Sequence, residues 1–255
     1  MFSDSASTAG ARTRRRLYGK TLEIGSLLFA DVDQIDLTGP FEVLSRIPNA
    51  SHRLYGQTTD IVRDVKGLAL KADAILSEAP ALDILHIPGG FGQEAIGEDE
   101  AVLEWIRFQA KHARIVFSVC TGALILGAAR LLVGRRATTH WAAFHILPQY
   151  GAEAIDERVV VDGMLVTAAG VTAGIDGALR VAAIVAGDDV AQQIQLEIAY
   201  APEPPFNAGT PRSAPPHILR AATQTFAAVT KRREAAAARF ARSLLALSTS
   251  LKTKH

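Results

Sequence analysis

One cysteine, Cys120, stands in the 255-residue chain. It follows the apolar run Ile115-Val116-Phe117-Ser118-Val119 and precedes Thr121-Gly122-Ala123, which opens a helical pattern. A strand that turns at once into a helix lifts the residue at the turn to the carboxyl edge of a sheet, the geometry of a nucleophile elbow. A helix N-terminus there favours thiolate over thiol, and neighbouring N–H groups can bind a developing anion. The opposing reading is a small buried core residue, the usual fate of a free cysteine. Position at the turn favours the reactive one.

Three further places could join it. Pro88-Gly89-Gly90 ends another apolar run, so its backbone arrives at the same edge, where Gly89 and Gly90 allow close approach of bare N–H groups. An ordinary strand-ending turn would look the same. Asp36, in Gln34-Ile35-Asp36-Leu37-Thr38-Gly39-Pro40, is either a helix cap or a carboxyl of raised pKa that carries a proton beside a thiol. His140, in Ala137-Thr138-Thr139-His140-Trp141, could serve Cys120 as a base or could be a structural histidine. None of the seven histidines lies with another His or a carboxylate in a compact metal-ligand pattern such as HExxH, which argues against a metal site.

The elements that must position these residues alternate in type. Residues 22–29, 52–57, 83–87, 114–119, 159–162 and 164–168 read as strands, and 61–70 as a hairpin or extra strands. Helices are expected from near Thr38-Gly39-Pro40, over 99–112, 121–129, 172–186 and 188–200, and over an alanine-rich 217–247. Such alternation predicts an α/β fold with a mainly parallel sheet. The proline cluster from Pro202 to Pro205 ends the helical pattern, leaving one domain over 21–210 and a helical arm and tail over 211–255.

Composition narrows the function classes. Hydrophobic residues make up 49% and charged residues 21%, which excludes wholesale disorder. Aromatics are only 6%, so aliphatic side chains must fill the core. The net charge of +1 divides into +4 over residues 1–20, −10 over 21–214 and +7 over 215–255. An acidic body argues against a nucleic-acid groove, and the basic ends read as solvated, residues 1–20 as an unstructured leader. No uncharged run reaches the roughly 18–20 apolar residues of a membrane span. A lone cysteine fits a reducing compartment, so a cytoplasmic location is expected.

Ser118-Val119-Cys120-Thr121-Gly122 together with Gly134-Arg135-Arg136-Ala137-Thr138-Thr139-His140-Trp141 resembles the ThiJ/PfpI superfamily, whose fold is like that of class I glutamine amidotransferases. Asp36 before Leu37-Thr38-Gly39-Pro40, the Gly170-Val171-Thr172-Ala173-Gly174-Ile175-Asp176 run and Pro205-Phe206-Asn207-Ala208-Gly209 resemble its isonitrile-hydrating branch. The likeness runs from about residue 21 to 235. It implies a flavodoxin-like three-layer sandwich, a homodimer, and hydration of a small-molecule isonitrile to an N-substituted formamide without metal or organic cofactor. It also implies Cys120 as nucleophile, Asp36 as acid/base, Thr121 beside the thiol, and Val171 packed near the cysteine.

Departures from other branches are informative. The protease-like branch has His after the cysteine, where this chain has Thr121, and the glyoxalase and deglycase branches use Glu where this chain has Asp36. Residues 206–255 are too few for the paired helix-turn-helix module of related regulators. A cysteine-based redox or ligand sensor and a glyoxalase- or amidase-like hydrolase remain as alternative expectations.

Overall fold

A computed structural model describes residues 21–252, with side chains described through residue 242; the expected leader over 1–20 lies outside the described residues. The elements run β1 (Leu22–Leu27), α1 (Gln34–Leu44), β2 (Ala50–Gly56), β3 (Ile61–Arg63), β4 (Ala69–Lys71), β5 (Ala74–Ile75) and β6 (Ile84–Ile87). They continue with α2 (Gln93–Glu98), α3 (Glu100–His112), β7 (Ile115–Val119), α4 (Gly122–Ala128) and β8 (Arg136–Ala137). After a 3-10 segment, Trp141–Tyr150, come β9 (Glu153–Ala154), β10 (Val159–Asp162), β11 (Leu165–Ala168), α5 (Ala173–Ala186), α6 (Asp188–Glu197) and α7 (Pro216–Lys252).

Seven strands form the central sheet in the order β10-β11-β7-β6-β1-β2-β5. Every neighbouring pair is parallel except β10 with β11, which turn back on each other through Gly163. The expected hairpin over 61–70 forms outside this sheet, as β3 paired antiparallel with β4. Side chains on a strand alternate between faces, so a strand covered on both sides reads as a continuous apolar run. On β7, Ile115, Phe117 and Val119 enter the core under α1, α5 and α6. Val116 enters the opposite core with α3, α4 and the 3-10 segment. Helices on both faces make the three-layer α/β sandwich that the resemblance implies.

Helix α3 shows the agreement in detail. Asp99 caps it by accepting the Ala101 and Val102 N–H groups at 3.0 and 3.2 Å, and Val102, Leu103, Ile106 and Ala110 lie on its buried face. Helix α1 shows a difference. It starts at Gln34, before the expected Thr38-Gly39-Pro40, and its cap is Asp33, which accepts the Ile35 N–H at 3.2 Å. Asp36 is thereby not the cap but a buried first-turn residue, and Pro40 lies inside the helix. Pro40 has no N–H for the Asp36 carbonyl four residues back. Among the described residues, no helix is long and apolar enough to cross a membrane.

Candidate active site

The elbow forms where the parallel strands end. All five residues of β7 are buried between β6 and β11, and the Cys120 N–H continues the ladder by donating to the Ala168 carbonyl at 2.9 Å. The chain then reverses through Cys120 itself, whose φ of 56° is left-handed. Such a φ is uncommon outside glycine and clusters at functional positions. Two residues on, a Cβ at Gly122 would lie 2.1 Å from the Ile87 carbonyl oxygen, so glycine is what lets α4 begin against the end of β6. The Thr139 hydroxyl donates to the Cys120 carbonyl at 2.7 Å, which ties the Thr-Thr-His-Trp segment to the elbow.

Asp36 reaches the same point from α1. Its side chain is fully buried, and its Oδ2 accepts the Gly89 N–H at 3.0 Å. Oδ1 has no hydrogen-bond partner, and the carboxyl lies against the Cys120 thiol. Gly90 donates its N–H to Thr121 Oγ1 at 3.1 Å, and the Thr121 hydroxyl returns a longer bond, 3.3 Å, to the Gly90 carbonyl. The loop after β6 therefore holds the acid with one N–H and the threonine beside the thiol with the next. Gly89 and Gly90 are brought to the site as expected, but their N–H groups are engaged rather than open to a substrate anion. The donor acting on the thiol is the Thr121 N–H.

Burial raises the Asp36 pKa well above the ordinary 3.8, and the nearby Asp33 charge raises it further; the thiol, the Gly89 N–H and Arg233 pull the other way. The Cys120 thiol is also raised, by burial first and then by Asp36, against the Thr121 N–H and Arg233. The low thiol pKa expected from the helix start is thus corrected. Desolvation and a facing carboxyl outweigh the partial charge of a helix end. The pair is held toward its protonated forms, a carboxylic acid against a thiol.

His140 contacts the start of the 3-10 segment and the aromatic rings beside it. Its Nδ1 accepts the Ala142 N–H at 3.3 Å, capping the 3-10 segment, and its ring meets Trp141 and Phe226 at 5.3 and 5.2 Å. Burial, with Arg233 adding to it, lowers its pKa to about 4, which keeps the imidazole neutral. Val171 is half-buried in the loop from β11 to α5, beside the elbow strand. Among the described residues, no three His, Cys, Asp or Glu side chains gather where they could hold a metal ion.

Two features escape sequence reasoning. Arg233 of α7 is only 3% exposed and donates from Nη2 to the Gly90 carbonyl at 2.8 Å. Beneath the site, Ser26 Oγ meets His52 Nε2 at 2.7 Å and His86 Nδ1 at 2.8 Å, and burial lowers both histidines' pKa values. The clustered basic residues at 231–233 read as a solvated face, although Arg233 falls at helical spacing from Phe226, Val229 and Phe240.

A cysteine at a strand–helix elbow, with a buried acid on a neighbouring helix, defines a cysteine-centred α/β sandwich. The model of the DJ-1/PfpI family matches residues 24–184, and the chain belongs to that family. It is 48% identical over 198 residues to isonitrile hydratase of Pseudomonas putida, across 78% of this chain and 87% of that one. It is 26% identical over 162 residues to the glutathione-independent glyoxalase DJR-1.2 of Caenorhabditis elegans, across 62% and 86% of the two chains. A solved structure of a ThiJ/PfpI family protein from Pseudomonas syringae superposes with a TM-score of 0.84 at 34% identity, covering 91% of this chain and 97% of that one.

Proposed function

We propose that the protein adds water to an isonitrile, giving an N-substituted formamide, with Cys120 as nucleophile and Asp36 as proton carrier. The observation that carries this reading is the buried Asp36 carboxyl set against the Cys120 thiol at the elbow. The likeness to an isonitrile hydratase over most of both chains supports the substrate class.

The terminal carbon of an isonitrile accepts a soft nucleophile and must also gain a proton. In the reactive form the pair holds a single proton: the Cys120 sulfur attacks as thiolate, forming the S–C bond, and the Asp36 carboxylic acid gives that proton to the carbon. The product is a thioimidate, R–N=CH–S–Cys. Asp36, now a carboxylate, takes a proton from water as the water oxygen adds to the same carbon. Protonation of nitrogen and loss of the C–S bond then release R–NH–CHO and the thiolate. Atoms balance as one isonitrile and one water consumed per formamide formed. Thr121, fixed by Gly90, offers its N–H to the sulfur when it leaves.

Burial of the thiol weighs against the redox-sensor alternative, because sensor cysteines are exposed and of low pKa. The reading includes a homodimer, which light scattering tests. The decisive assay incubates purified protein with cyclohexyl or aromatic isonitrile and quantifies the formamide. Turnover that Cys120→Ala abolishes is expected. No turnover, or turnover unaffected by that change, overturns the proposal.

A further inference from the structure

Helix α7 lies on the 3-10 segment and α2 along a stripe spaced by three and four residues. Phe226 packs against Phe91, His140 and Trp141; Val229 and Ala237 are buried; Phe240 packs near Tyr150. Arg233 falls in the middle of that stripe, where an apolar residue would be expected. Burying a guanidinium is unfavourable unless something nearby uses the charge. Its neutralisation is incomplete. Glu94 Oε1 is 4.0 Å from Arg233 Nε, that Nε has no hydrogen-bond partner, and the other Glu94 oxygen is bonded to Arg232 at 2.9 Å.

What Arg233 does touch is the loop that builds the site. Its Nη2 holds the Gly90 carbonyl, the same carbonyl that accepts from Thr121, and the adjacent Gly89 N–H holds Asp36. We infer that Arg233 is a positioning residue for the Cys120–Asp36 pair, fixing the Pro88-Gly89-Gly90 loop through the Gly90 carbonyl and supplying the positive charge against which the pair carries a negative one.

The direction of its influence agrees: Arg233 favours the charged form of both Cys120 and Asp36. The other charged or titratable groups around the pair and the arginine are Asp33 beside α1, Glu94 on α2, Arg232 on α7, His140, and His86 on β6 by the Asp36 backbone.

The inference rests on the reading of Cys120 and Asp36 above, but its test needs no isonitrile. Because Cys120 is the only cysteine, the rate of alkylation by iodoacetamide reports on that thiol alone. An opposite charge close by shifts a pKa by about 1–3 units, so Arg233→Gln should move the pH profile of alkylation up by about one unit. At neutral pH the reaction then slows about tenfold. Arg233→Lys, which keeps the charge, should recover most of the rate, and Glu94→Gln should move the profile down. In turnover, Arg233→Gln should lower kcat with KM little changed.

An unshifted profile in Arg233→Gln, or an equal shift in Arg233→Lys, overturns the inference. Should Arg233→Gln fail to fold, the sign of the Glu94→Gln shift decides: downward supports it, and unchanged or upward overturns it. Wild-type protein that makes no formamide overturns the hydratase reading alone, and the alkylation profiles still decide this one.

Discussion

Gly89→Ala probes the convergence of three segments with a single methyl group. The added Cβ would lie 2.6 Å from Thr121 N, 2.7 Å from Thr121 Oγ1 and 2.9 Å from Asp36 Oδ2, where ordinary contact begins at 3.4 Å. Relief requires the loop to separate from the elbow and from Asp36 by about 0.5–0.8 Å, the shortfall in those contacts. Two of the three neighbouring atoms belong to the nucleophile's own turn, so the strain is not absorbed by a flexible side-chain end. Overpacking of this kind costs about 1–3 kcal/mol of stability. Displacing the acid from the thiol by a large fraction of an ångström lowers kcat by about 100-fold. Formamide production and a thermal melt on the same preparation read both effects. Wild-type kcat with wild-type Tm would refute the idea that the Gly89 N–H and its close approach hold the acid in place.

The pH dependence should reflect the pair rather than either residue. A reactive form that retains one of the pair's two protons gives a bell-shaped kcat/KM, with its acid limb well above the 3.8 of an ordinary aspartate; a limb near 3.8 would contradict the buried carboxyl. Asp36→Asn should abolish turnover and raise Tm at neutral pH. The folded-state pKa of Asp36 is raised, so the folded protein binds the extra proton and loses stability as pH climbs above 3.8. The Tm advantage of Asp36→Asn should therefore shrink toward zero below that pH, and a pH-independent difference would argue against the shift. His140→Ala removes the cap of the 3-10 segment and should cost about 0.5–2 kcal/mol while leaving the pH profile of kcat/KM unmoved. A displaced profile would return His140 to the chemistry.

The elbow is legible in the sequence because its determinants are local. An apolar run, a cysteine and a Thr-Gly helix opening adjoin one another, and the structure adds only the left-handed φ of Cys120. Helix α1 begins earlier than the sequence implies because Pro40 favours a first turn, whereas here it sits inside the helix. The thiol's proton affinity escapes the sequence for a different reason. The helix end is visible there, but the burial and the Asp36 carboxyl that outweigh it come from tertiary packing. Arg233 is the extreme case. It meets Gly90 across 143 positions of chain, and although the spacing from Phe226 and Val229 to Phe240 puts Arg233 on the inward stripe, nothing local in the sequence says which group its charge meets there.

The proposed hydration passes through a thioimidate on Cys120, which intact-protein mass spectrometry after an acid quench during turnover can detect. A mass increase of one whole isonitrile is expected, located on the peptide that contains Cys120, absent from Cys120→Ala and lost to formamide on further incubation. Formamide released at an undiminished rate by Cys120→Ala, with no adduct on the wild-type protein at any quench time, would contradict it.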